Sequence, residues 1–140
     1  SEKKNSETIE ELISMGVKCI DISGTGGTNF ANIENIRANK NRKYFEEIGY
    51  DTCSSLEYSK KFQNNIDILA SGGIRNPLDV VKALSLGAKA VGISKQFLKI
   101  LIEQGRDELI TTIEDWKMEI KYLMLISNSK NIEELKGKIY

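Results

Sequence analysis

A chain of 140 residues with 20 basic and 20 acidic side chains has no formal net charge, which excludes the basic footprint of a nucleic-acid binder or of a protein held on an anionic membrane by charge. With 40% apolar and 29% charged residues the composition is that of an ordinary folded domain, long enough to bury a core. No apolar run approaches the roughly 18 residues of a membrane span, and "SEKKNSETIEEL" has no signal-peptide hydrophobic region; a cytoplasmic location is the expectation.

In chain order, Ser6 to Met15 places Ile9, Leu12, Ile13 and Met15 at helical spacing and stops at Gly16. "VKCIDI" reads as a strand. "SGTGGTNFANIENIRANKNRKYFEEIGY" follows as a connection, glycine-rich first and charged later; connections this long inside a domain usually carry function. A helix is predicted from Asp51 or Thr52 to near Gln63. The strand "DILA" and the turn "SGGIR" lead into a helix with Asn76 as N-cap and Pro77 at its first position, closing at Gly87. "KAVGI" is the third strand, and a helix from Ser94 to near Glu103 follows it. From Arg106 to Ser127, Leu109, Ile113, Trp116, Ile120 and Leu123 recur every three or four residues, a stripe that belongs against a core rather than a cofactor. A short helix, Ile132 to Lys136, comes last.

Alternating helices and strands predict a parallel α/β sheet. The strands are short and apolar with little alternation, as expected when both faces are buried. Three strands leave two open edges and an apolar face, so a completing partner and self-association are expected. Cys19 in a strand and Cys53 in a helix lack metal-ligand spacing, and the chain has no histidine. A zinc-type site is not expected, and both cysteines read as buried, reduced thiols.

Ligands in parallel α/β folds bind beyond the carboxyl ends of the strands. "SGTGGT", "SGGIR" and "GISK" all fall there. Glycine lets backbone N–H groups approach an anion, and a helix start adds unsatisfied donors with partial positive charge. The last two loops together predict a phosphate cup of the kind an eight-stranded barrel forms after its seventh and eighth strands. Other readings stay open: "SGG" alone can be a tight turn, and Arg75 can pair with a neighbouring carboxylate instead of a phosphate. Glu34 and Arg37 can form an ion pair holding the long loop. Asp21, a carboxylate inside a strand, reads as a hydrogen-bonded structural group rather than an acid or base.

"IDISGTGGTNFANIENIR" followed by "DILASGGIRNPLDVVKALSLGAKAVGIS" resembles the C-terminal portion of the FMN-dependent type 2 isopentenyl diphosphate isomerases, over nearly the whole chain. "SGGIR" occurs widely among FMN barrels; "SGxGGTNF" joined to "ENxR" points more narrowly at the isomerase. The resemblance implies the C-terminal part of a TIM (β/α)8 barrel: three βα units plus C-terminal helices, 140 residues of a typical ~250 or more. It implies FMN contacts at Thr28, at Gly72, Gly73, Ile74 and Arg75, and at Ser94 and Lys95. NADPH, Mg2+ and an isoprenoid diphosphate substrate are implied for the full-length parent only. The family's flavin-contacting lysine, its glutamine and its metal-binding glutamate lie upstream and have no counterpart here, so the chain alone is expected to be inactive. Two alternatives remain open: a piece of another FMN-barrel oxidoreductase, and a non-catalytic, self-associating half-barrel.

Overall fold

A computed structural model describes residues 2–24, 33, 37–38 and 51–139. Among the described residues three strands, β1 (Cys19–Ser23), β2 (Asp67–Ser71) and β3 (Ala90–Gly92), form one sheet in that order. Both pairings are parallel, with Cys19 opposite Asp67, Ser23 opposite Ser71, and Ser71 opposite Gly92. Helix α1 (Glu2–Ser14) precedes β1, α2 (Thr52–Ser59) and a 3₁₀ turn (Lys60–Phe62) precede β2, and α3 (Pro77–Ser85) joins β2 to β3. After β3 come α4 (Lys95–Gln104), α5 (Arg106–Ile126) and α6 (Ile132–Leu135).

The helices cover one face of the sheet. Ile68 and Ala70 of β2 are fully buried among Leu56, Phe62, Ile66, Ala83, Leu86 and Ala88, and Ile20, Ile22 and Val91 pack against the same cluster. The opposite face, running through Cys19, Asp21 and Ser23 to Asp67, Ala90 and Gly92, is exposed. This corrects the expectation of strands buried on both faces. The alternation is concealed in the sequence because Cys19, Leu69 and Ala90 are apolar positions on the open side. The cysteines are corrected too: both are free, but both are exposed.

Local sequence sets the helix ends. The Asn76 side chain accepts from the Asp79 amide, with Pro77 at the start of α3; a cap of this kind stabilises a helix by about 1 kcal/mol. Asp51 caps α2 in the same way, accepting from the Ser54 amide at 2.9 Å. α1 starts earlier than its apolar spacing predicts, through the polar Glu2–Asn5 turn.

A second cluster fastens the C-terminal helices. Val81 and Leu135 are fully buried with Val80 and Leu84, and Trp116, Ile120 and Leu123 of α5 pack on them half-buried. The α5 stripe therefore faces a core, as its spacing predicts, though no residue of α5 is fully buried. Phe97 of α4 meets Trp116 edge-on, ring centres 5.1 Å apart, an arrangement aromatic pairs favour. Beyond α6, the Gly137 amide donates to Ser85 O and the Ile139 amide to Ser85 Oγ, both at 2.9 Å.

Candidate functional site

At the carboxyl end of the sheet the β2–α3 loop and the start of α4 open onto one pocket of about 610 Å³, within the roughly 300–1,000 Å³ range of small-molecule sites. Gly72, Gly73, Ile74 and Arg75 line one side, Lys95, Gln96 and Lys99 another, and Asp51, Thr52 and Cys53 at the start of α2 a third. Of the residues with an expected FMN role, five converge here. Ser94 stands immediately before α4 as its N-cap. Thr28, like Glu34, lies outside the described residues.

The loop geometry depends on glycine. Gly72 and Gly73 have φ of 76° and 75°, left-handed values that an L side chain adopts only with strain. Two such residues in succession bring bare backbone to the pocket wall. α4 contributes its first turn, whose N–H groups have no intrahelical acceptor, and the Ser94 side chain makes no capping hydrogen bond to them.

Charge favours an anion. The wall carries Arg75, Lys82, Lys95 and Lys99 against Asp51 and Asp79, four positive groups less two negative, a surplus of two. Arg75 is already engaged: its Nε lies 3.2 Å from Asp79 Oδ2, and its side chain is 76% exposed. The carboxylate partner is thus the arrangement found, and a phosphate would share that guanidinium. Hydrogen bonds from the Ser54 amide and hydroxyl hold the Asp51 carboxyl below its ordinary range. Cys53 is open to solvent, yet partial burial of its thiol, aided by the Asp51 carboxylate, pushes its pKa up.

Asp21 is hydrogen-bonded, as expected of a structural carboxylate: Ser71 Oγ donates to its Oδ2 at 3.0 Å. It sits on the open face rather than among apolar side chains. Thr52 is the residue that sequence reasoning missed. Its hydroxyl is 2.6 Å from Gly72 O and 3.2 Å from Ser71 O, while its neighbour Asp51 gave the only legible signal, that of a helix start.

A one-sided parallel βα layer whose carboxyl-end pocket combines a double-glycine loop, a helix start and surplus positive charge defines an α/β protein of the barrel-derived class, with a pocket whose chemistry suits an anion. The model of the FMN-dependent dehydrogenase family matches residues 4–140, and the chain belongs to that family. It is 49% identical over 134 residues to the isopentenyl-diphosphate delta-isomerase of Latilactobacillus sakei subsp. sakei (strain 23K), covering 95% of this chain and 38% of the relative. The isomerase of Streptococcus gordonii is 43% identical over 133 residues, 95% of this chain and 40% of the relative. The chain thus spans about two fifths of the curated relatives it matches. Among solved structures, the flavin-binding domain of baker's yeast flavocytochrome b2 superposes with a TM-score of 0.65 at 24% identity, over 94% of this chain and 31% of that one. A flavocytochrome b2 variant with sulfite bound gives 0.69 at 24% identity, over 94% and 31%. At that identity the likeness concerns the fold, a partial TIM barrel.

Proposed function

We propose that this chain is the cofactor-phosphate end of an FMN-dependent isopentenyl diphosphate isomerase, which interconverts isopentenyl and dimethylallyl diphosphate. The observation that carries the reading is the convergence of Gly72, Gly73, Ile74 and Arg75 with Lys95 on one positively biased pocket. The cradle fits the group. A dianionic phosphate suits bare amides at the φ-positive glycines and the uncapped start of α4, and Lys95 and Lys99 add charge without needing close contact. FMN, reduced with NADPH, would supply the proton exchange at the allylic carbon, and Mg2+ would neutralise the substrate diphosphate in the whole enzyme. Within the chain, Gly72 to Arg75 and Ser94 to Lys95 bind and orient the phosphate tail. The site of action under this reading is the cytoplasm, and the chain associates with copies of itself through its open sheet.

Orientation of reacting groups accounts for roughly 7–11 kcal/mol of a barrier in favourable cases. Holding a flavin by its phosphate alone leaves most of that unrealised. The chain is therefore expected to bind FMN but to produce no dimethylallyl diphosphate with FMN, NADPH and Mg2+ in excess. A longer protein continuing upstream of Ser1 should turn over under the same conditions. Turnover by the 140-residue chain comparable to that of the longer protein would refute the division of labour. Oxidation of a 2-hydroxy acid by the longer protein, without isomerisation, would move the assignment to an oxidoreductase.

A further inference from the structure

We propose that Thr52 is a positioning residue of the cup, its hydroxyl setting the direction of the loop amides that receive an anion; this rests on the reading of the pocket as a flavin-phosphate site. Thr52 is the first residue of α2, it is buried to 8% exposure, and it lines the pocket. Its hydroxyl donates to Gly72 O at 2.6 Å, with Ser71 O at 3.2 Å as the weaker branch.

The consequence follows from peptide planarity. In a trans peptide the C=O and the next N–H point in opposite directions. Fixing the carbonyls of Ser71 and Gly72 therefore fixes the amides of Gly72 and Gly73. Glycines have little intrinsic preference for one peptide orientation, so the restraint must come from outside the loop. Thr52 supplies it from an element 20 residues away in sequence.

The surroundings are built for this approach. A Cβ added to Gly24 would collide with the Thr52 backbone nitrogen and lie 2.5 Å from its Oγ1, so the end of β1 must be glycine for α2 to come so near. The Gly24 amide itself points to Ser71 O at 3.4 Å. Three segments thus meet at the carbonyls of residues 71 and 72. On the other side, Ser71 Oγ bonds Asp21, which anchors the strand end; the Gly24 amide shares the hold on the Ser71 carbonyl, and the Gly72 carbonyl, with the Gly73 amide behind it, is held by Thr52.

The test compares FMN with riboflavin, which lacks the phosphate, by fluorescence titration of the full chain. Thr52→Val keeps the shape and removes the donor. It is expected to lower the preference for FMN over riboflavin about tenfold, equivalent to 1.4 kcal/mol, with riboflavin binding unchanged. Thr52→Ser, which keeps the hydroxyl, should retain the wild-type preference. Retained preference in Thr52→Val, loss of it in Thr52→Ser, or equal weakening of both flavins would overturn the role of Thr52. Where Thr52→Val does not fold, Thr52→Ala, a better helix former, takes its place with the same expectations. A wild-type chain that binds FMN no better than riboflavin would instead overturn the phosphate cup itself.

Discussion

Arg75 and Asp79 are joined twice: the Arg75 backbone amide and its Nε both donate to the same oxygen, Asp79 Oδ2, at 3.0 and 3.2 Å. The carboxylate therefore holds the loop and competes with any anion for the guanidinium. Asp79→Asn keeps an acceptor for the amide but removes the negative charge. FMN affinity should rise about threefold at low salt, and the gain should vanish at high salt, where exposed charges are screened. Titration at two ionic strengths checks this. An unchanged or lowered affinity at low salt would place the carboxylate outside the field of the phosphate.

Gly73→Val should reduce FMN affinity by more than about tenfold, or ~1.4 kcal/mol, because a branched side chain occupies the anion's approach. It also strains a residue at φ 75°, at about 1–3 kcal/mol. Gly105→Ala separates the two effects. That glycine has φ 91° and open space around it, so its substitution should lower the melting temperature without changing FMN binding. Equal FMN affinity in Gly73→Val and wild type would remove the anion from this loop.

Much of this site was legible from local rules. Asn76, Pro77 and Gly87 bracket α3 because capping and proline chemistry act within one turn, and the structure follows them. The exposure of Cys19 and Asp21 was not legible: which side of a strand is covered depends on the layer that packs against it, and "CIDIS" alternates only once that layer is known. Thr52 carries no sequence signal for a related reason. Its partners are carbonyls, which every residue has, so no side-chain pattern marks them.

Asp51 should make stability pH-dependent. Its carboxyl is depressed chiefly by the Ser54 amide and then by the Ser54 hydroxyl. A depressed acid favours the folded state above its unfolded pKa, near pH 4, and that contribution fades as pH falls through the lower folded value. Asp51→Asn still caps α2 but cannot titrate. Between about pH 5 and pH 3 the wild type should lose more stability than the variant, read from melting temperatures. Parallel loss in both would assign the acid sensitivity elsewhere.

Cys53 should report occupancy of the pocket. It lines the wall, and partial burial with the Asp51 carboxylate raises its pKa, so alkylation by iodoacetamide should be slow at neutral pH and accelerate in alkaline solution. Saturating FMN should slow it further. Cys19 is exposed at the amino end of β1 and serves as the internal control, its labelling unaffected by flavin. Mass spectrometry resolves the two sites. Equal protection of both cysteines would contradict the pocket assignment.

Among the described residues, the open sheet face and the outer strands β1 and β3 leave backbone groups and half-buried apolar positions such as Leu69 without a covering helix, and such surfaces promote association. Sedimentation equilibrium at micromolar concentration should find a dimer or larger. A well-folded monomer would count against the sheet as the associating surface.

The spacing of the strands along the chain also bears on the order in which they pair. β2 and β3 are tied by Leu69 opposite Ala90 across a single helix, whereas β1 reaches β2 by pairing Cys19 with Asp67, a loop more than twice as long. Closing the longer loop costs more chain entropy and slows the contacts that depend on it. The unit from β2 through α3 to β3, which carries Gly72 to Arg75, can therefore form first and act as the template on which β1, and with it the Gly24 contact to Thr52, later docks.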